Sequence, residues 1–185
     1  MTSVTLTAPA TRANQAFKQP AAVSARFYNS LATPIGELLI TSDGDTLTGL
    51  YMMPDAHFAP DVTTGWRRSP AHLHNAAQQL SSYFAGELRT FDLPLAPSGT
   101  AFQLEVWAAL LEIPFGETAS YGEIAAAIDR PAASRAVGAA NGRNPIAVIV
   151  PCHRVIGASG ALVGYGGGLD RKRTLREHER GVSAL

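Results

Sequence analysis

Between Arg26 and Met53, apolar and polar residues alternate in short runs broken at Pro34-Ile35-Gly36 and at Asp43-Gly44-Asp45. This pattern predicts two or three antiparallel strands. A half-buried strand has a period of two, and Asp-Gly supplies the positive φ that a tight hairpin needs. Residues 56–68 show no period and read as loop. Leu73, Ala76, Ala77, Leu80, Tyr83 and Phe84 then recur at helical spacing up to Gly86, which predicts a helix over 72–84. A short strand is expected at 91–95, and Pro94, Pro97 and Gly99 mark a linker.

The second half reads as mostly helical. Thr100 can cap a helix reaching Leu111, with Phe102, Val106, Trp107, Leu110 and Leu111 inward, and Pro114-Phe115-Gly116 ends the segment. Ser120 caps a helix over 121–128. Arg130-Pro131 breaks the chain, and a helix over 132–141 follows, closed by Gly142. Two short helices around a tight turn have helix-turn-helix geometry. The second is built of Ala133, Ala136, Gly138, Ala139 and Ala140 around one long cation, Arg135. Such small side chains let a backbone approach another surface, which could be nucleic acid or the protein's own core. The run from Ile146 to Val150 reads as a buried strand stopped by Pro151, and Leu169 to Arg180 as a charged helix with Leu175 inward and Gly181 as its cap.

These elements predict an α+β fold in two parts. Residues 1–24 are expected to be a flexible extension, 25–97 a small α/β domain with an antiparallel sheet, and 98–185 a mostly helical domain. At 185 residues the chain can bury a proper core. Fifteen basic and fifteen acidic side chains cancel, so overall charge identifies no partner, but its distribution is uneven. From Arg130 to Arg176 eight Lys/Arg face one acid, Asp170, a local balance of +7. That block is either a solvated basic face or a surface for a polyanion. No stretch is apolar enough to span a membrane, and residues 1–24 lack the apolar core of a secretory signal.

Cys152, the single cysteine, lies in this basic block, at the end of the apolar run and beside His153. One thiol can form neither an internal disulfide nor a cysteine-ligated zinc site, so it is a structural residue or a nucleophile. The other histidines lack metal-ligand spacing, and no metal is expected. A free thiol is mostly protonated near neutral pH and needs a base or a positive setting to react. His153 is the nearest base, and an imidazole in that role is best held by a carboxylate. Glu105, Glu112, Glu117, Glu123, Glu177 and Glu179 are all candidates. A free cysteine without a leader also points to a reducing cytoplasm.

Pro151-Cys152-His153-Arg154-Val155 resembles the active-site signature of the O6-alkylguanine-DNA alkyltransferases, also known as methylated-DNA–protein-cysteine methyltransferases. The resemblance continues through Phe115-Gly116-Glu117, Ser120-Tyr121-Gly122-Glu123-Ile124-Ala125, Ser134-Arg135-Ala136-Val137-Gly138-Ala139 and Asn141-Gly142-Arg143-Asn144-Pro145. It ends in Gly164-Tyr165-Gly166-Gly167-Gly168 and His178-Glu179, so the blocks keep family order over roughly 98–181. The N-terminal half agrees in Pro34-Ile35-Gly36 and Tyr83-Phe84-Ala85-Gly86.

This resemblance implies a ribonuclease-H-like N-terminal domain and a winged helix-turn-helix-like C-terminal domain. It implies direct reversal of DNA damage: single-turnover, irreversible transfer of an alkyl group from O6-alkylguanine, and from O4-alkylthymine, to Cys152 after base flipping. The implied partner is double-stranded DNA, bound in its minor groove by a monomer, with cooperative assembly along DNA left open. The implied catalytic residues are Cys152, His153, Glu179, Tyr121 and Asn144. Arg135 would be the finger replacing the extruded base, with Tyr121, Ser134, Ala136 and Gly138 at the DNA, while Val155, Tyr165, Gly166 and Cys152 line the base pocket. The family often has a serine where Gly166 stands. No cofactor is expected. A lesion sensor, a transcription regulator using the same two helices and a cysteine hydrolase are the alternatives. The reactive thiol argues against the first and the adjacent, rather than distant, histidine against the third, while sequence-selective DNA binding that ignores the lesion would favour the second.

Overall fold

The computed structural model describes residues 13, 16–19, 26–54 and 59–183. Three strands, β1 (Phe27–Thr33), β2 (Gly36–Ser42) and β3 (Leu47–Met52), form the expected antiparallel meander. Gly36 turns the first hairpin at φ +101° and Gly44 the second at φ +108°, conformations that a side chain would strain. Asp43 fixes the second turn by accepting the N–H groups of Asp45 and Thr46 at 3.1 and 2.7 Å. Period-two alternation directs Leu38 and Ile40 of β2, with their partners Met52 and Leu50 of β3, into the core.

A two-residue strand, β4 (Arg67–Arg68), pairs parallel to β1 within the segment expected to be loop, so the sheet order is β3-β2-β1-β4. Two exposed arginines carry no hydrophobic period; this strand is made by backbone pairing, with the Arg67 guanidinium over the Phe27 ring. The strand expected at 91–95 reduces to a bridge between Leu95 and Leu47. Beside it, Phe17 is buried in the core and the Lys18 N–H donates to the Leu95 carbonyl at 2.7 Å. Phe17 is therefore packed and the exposed Lys18 tied down by its backbone, against the expectation of a flexible extension. The remainder of that extension falls largely outside the described residues.

Helix α1 (His74–Phe84) lays Ala76, Leu80 and Tyr83 on the core. In the C-terminal half, α2 (Ala101–Leu111) opens with a full capping box between Thr100 and Gln103. Helix α3 (Tyr121–Ala127) opens with another between Ser120 and Glu123, each satisfying end N–H groups for about 1 kcal/mol. A 3-10 turn (Pro131–Ala133) leads into α4 (Ser134–Gly142). Trp107 of α2 is 1 % exposed, and its indole N–H donates to the Ala140 carbonyl at 2.9 Å, seating α4 on the core. The last helix, α5 (Leu169–Ser183), runs through Gly181 instead of ending there. Strands β5 (Ala119–Ser120) and β6 (Val155–Ile156) pair parallel. The fold is thus α+β, an antiparallel-sheet domain followed by a helical one.

The apolar run 146–150 is not a strand. Ile146 makes one bridge to Leu50, and Val148 then takes φ +71°, turning the chain within the core. Ile146, Val148, Ile149 and Val150 are apolar because every side of this buried turn meets protein. A short apolar run does not distinguish the two cases.

Candidate active site

Val148 is β-branched and left-handed, a conformation that costs about 1–3 kcal/mol and persists only where surroundings enforce it. Asn144 does so. Its Nδ2 donates to the Val150 carbonyl at 2.8 Å, and its Oδ1 accepts the Ile146 N–H at 3.0 Å. The chain then enters a 3-10 turn, Cys152–Arg154, in which all three side chains are buried. Asn141 of α4 is also buried, and its Nδ2 donates to the Cys152 carbonyl at 3.3 Å. The cysteine turn is thereby held by Asn141 from α4 and by Asn144 just beyond the end of that helix.

Cys152 is 4 % exposed and lines a cavity with Asn141, Asn144, Tyr165 and Gly166, whose far wall is Leu50 and Met52 of β3. Burial pushes its thiol pKa up, while the amide of Asn144, the Lys172 ammonium and the Tyr165 hydroxyl work in the opposite direction. Lys172 is fully buried on α5, donates to the carbonyls of Val163 and Gly164 at 2.9 and 3.3 Å, and stands over the Tyr165 ring. Burial, opposed by Cys152, lowers its pKa to about 8.

His153 points to the other side of the turn. Its Nε2 is 2.9 Å from Glu179 Oε1, and its Nδ1 has no hydrogen-bond partner among the described residues. Of the six candidate carboxylates the fold selects Glu179. Glu123 is engaged in its capping box and Glu105 pairs with Arg130. Glu179 does not pair with its helix neighbours Arg176 and Arg180; it takes Arg154 as a bidentate partner, at 2.9 Å from Nε and 2.8 Å from Nη2. Oε1 also accepts the Tyr83 hydroxyl at 2.9 Å, and Oε2 the Gly116 N–H at 3.1 Å. Burial raises the Glu179 pKa, but His153 and Arg154 outweigh it and hold the carboxyl well below the usual range. An ionised carboxylate is acceptor-only, so His153 must donate from Nε2 and keep Nδ1 as a free lone pair. Burial lowers the His153 pKa, with Glu179 opposing, which favours a neutral imidazole able to take a proton.

Tyr121 is half-buried at the start of α3. Its hydroxyl donates to the Val163 carbonyl at 3.0 Å, and its ring lies against Gly138 of α4. Arg135 and Ala136 are exposed on α4, while Ser134 and Gly138 are partly covered, so one long cation stands on a face of small residues. Tyr165 and Gly166 reach the cavity at Cys152. Val155 does not: it is fully buried in β6 behind the turn. Sequence reasoning assigned no role to Arg154, Lys172, Tyr83 or Asn141. Helix periodicity carried a signal for Lys172, since positions 172, 175 and 179 share one face of α5 and Leu175 was read as inward.

Residues 26–97 match the ribonuclease-like domain of 6-O-methylguanine DNA methyltransferase, and residues 101–181 match its DNA-binding domain. Both domains of that methyltransferase are present in order, and the single cysteine lies in the second, which defines the class of the protein. The chain is 55 % identical over 153 residues to the methylated-DNA–protein-cysteine methyltransferase of Mycobacterium tuberculosis, spanning 83 % of this chain and 92 % of that one. It is 51 % identical to the Methanosarcina acetivorans protein of the same name, covering 83 % and 97 %. It also superimposes on the crystal structure of the Mycobacterium tuberculosis protein in complex with DNA. The TM-score is 0.78 at 53 % identity, over 84 % of this chain and 94 % of that one. The chain belongs to the methylated-DNA–protein-cysteine methyltransferases, DNA-binding enzymes of DNA repair. Among the described residues no helix is long and apolar enough to cross a membrane.

Proposed function

We propose that this protein reverses alkylation damage directly, moving the alkyl group of O6-alkylguanine, and of O4-alkylthymine, in duplex DNA irreversibly onto Cys152. The observation that carries this reading is the buried turn that sets Cys152 in a cavity wall beside His153, whose proton-accepting Nδ1 is left free by the Glu179 bond. Sulfur forms a bond to the alkyl carbon as the carbon–O6 bond breaks. The thiol proton passes through a water to His153, guanine takes a proton from the Tyr121 hydroxyl and leaves as a neutral base, and the His153 proton returns through solvent to the Tyr121 oxygen. The alkyl carbon is already electrophilic, so the step needs no cofactor. The product is a thioether, a poor leaving group, and each molecule acts once.

A thiol so placed cannot reach a base inside the helical stack, and the target must swing out. The small-residue face of α4 suits close approach to the minor groove, with Arg135 filling the gap and Ser134, Ala136 and Gly138 against the backbone. Asn144 braces the cysteine turn, and Tyr165 and Gly166 form the pocket wall. We assign residues 25–97 and 98–185 to the two domains, take the active species as a monomer, and place it in the reducing cytoplasm, where a lone thiol survives.

Intact-mass measurement tests this. Incubation with duplex DNA carrying O6-methylguanine should add one methyl group, mapped to Cys152, and Cys152→Ala should gain nothing. A methyl group on any other residue, or repeated turnover without mass gain, would defeat the reading.

A further inference from the structure

Glu179 accepts five hydrogen bonds, and one comes from the N-terminal half of the molecule. His153, Arg154 and Gly116 belong to the C-terminal half, whereas Tyr83 lies on α1, 96 residues away in sequence. Tyr83 is fully buried. Its ring meets Phe115 and His178 edge-on at centroid distances of 6.0 and 5.2 Å and lies 5.4 Å from Phe91. Its carbonyl accepts His178 Nε2–H at 2.7 Å. The hydroxyl therefore has one direction available, and Oε1 of Glu179 is there, the same oxygen that receives His153.

We propose that Tyr83 is a positioning residue for alkyl transfer, its hydroxyl dividing the charge of Glu179 Oε1 with His153 and so setting how strongly that imidazole takes the thiol proton. This rests on the relay reading given above. Each donor on Oε1 draws charge away from the His153 N–H bond. The other charged or titratable groups facing the pair are Arg154, bidentate on the carboxylate, Lys172 and Arg176 from α5, and His178 beside the Tyr83 ring. All of these remain when the Tyr83 hydroxyl is removed. Loss of that one donor leaves Oε1 richer in charge, which stabilises the imidazolium.

The test compares full-length wild type, Tyr83→Phe, Phe91→Leu and Glu179→Gln in single-turnover transfer from O6-methylguanine duplex, read by intact mass between about pH 5 and 9. Tyr83→Phe is expected to raise the lower apparent pKa of the Cys152–His153 pair by about half a unit. Transfer on the acid side then slows about threefold, with the 15N shifts of the His153 ring moving in step. Phe91→Leu, which disturbs the same aromatic cluster without touching the hydroxyl, should lower Tm and leave the profile in place. A Tyr83→Phe profile that superimposes on wild type overturns the proposal while Glu179→Gln remains slow. Wild-type rates for Glu179→Gln at every pH would remove the relay itself. Should Tyr83→Phe fail to fold, 3,5-difluorotyrosine at position 83 strengthens the donor and should move the same limb to lower pH. A coincident profile overturns the proposal equally.

Discussion

The Nδ2 of Asn144 donates to the carbonyl of Val150 at 2.8 Å, and this bond ties the chain just beyond α4 to the turn that carries Cys152. The same side chain receives the Ile146 N–H, so one amide closes the loop around left-handed Val148. Backbone strain four residues before Cys152 persists because this amide over-determines it.

Asn144→Ala should cost about 2 kcal/mol and lower Tm by roughly 4–8 °C, since two partly buried backbone groups lose their partners. Asn144→Asp singles out the Val150 bond. It keeps the acceptor for Ile146 but sets a carboxylate oxygen against the Val150 carbonyl, and should slow methyl transfer at least as much as alanine does. An aspartate variant with wild-type transfer kinetics would show that the Val150 bond has no bearing on the cysteine.

Glu179 predicts an acid-sensitive fold. Its folded-state pKa is depressed, so its contribution is complete above the unfolded value near 4.5 and is lost as pH falls below it. His153, neutral in the fold and also depressed, loses its contribution earlier, from about pH 6.5 downward. Glu179→Gln leaves Arg154 buried against a neutral amide, which should cost about 3–5 kcal/mol at pH 7. The gap in denaturant midpoint between variant and wild type should narrow below about pH 4.5. A gap independent of pH would mean that the carboxyl is not ionised in the fold.

Lys172 carries a signature of the same sign, displaced to alkaline pH. Its pKa falls to about 8 in the fold against 10.5 when unfolded, so between these values the unfolded chain binds more protons and stability rises with pH. The stability of wild type relative to Lys172→Met should therefore climb from pH 8 to 10.5. A flat difference in chemical denaturation would show the ammonium to be solvated.

The fold was legible where pattern and position agree, as in the hairpins at Gly36 and Gly44 and the capped starts of α2 and α3. It was not legible at 146–150, because an apolar run reports burial and cannot reveal that Val148 turns. At the site, Cys152 and His153 stood in one short motif, but residue spacing left the carboxylate behind His153 as one of six, and only the family resemblance singled out Glu179. The Tyr83 hydroxyl was hidden for a similar reason. A tyrosine on the apolar face of a helix reads as core, and its polar end matters only through a residue from the other half.

Gly167 shows how closely the two halves meet at the pocket. A Cβ built there would overlap the Sδ of Met52 on β3 and lie 3.2 Å from the Tyr165 ring. Gly167→Ala should displace the pocket loop, reduce transfer about tenfold and cost roughly 1–3 kcal/mol by overpacking. Met52→Ala in the same chain should restore part of the rate by giving the methyl group room. Equal deficits in single and double variants would mean that the loop does not need the N-terminal domain beneath it.

Arg135 is the sharpest test of the base-flipping step, because it is exposed on α4 among small residues and is not one of the residues lining the Cys152 cavity. A residue that fills the gap behind an extruded base acts only when a stack must be opened, an event costing a few kcal/mol. Arg135→Ala should therefore slow transfer from alkylated duplex roughly tenfold to a hundredfold. Reaction with free O6-benzylguanine, which needs no flipping, should be unchanged. Cysteine alkylation by the free base thus serves as an internal control for the intact pocket. Equal slowing with both substrates would move Arg135 from the DNA to the chemistry at Cys152, whereas no slowing with either would leave the small-residue face of α4 without its finger.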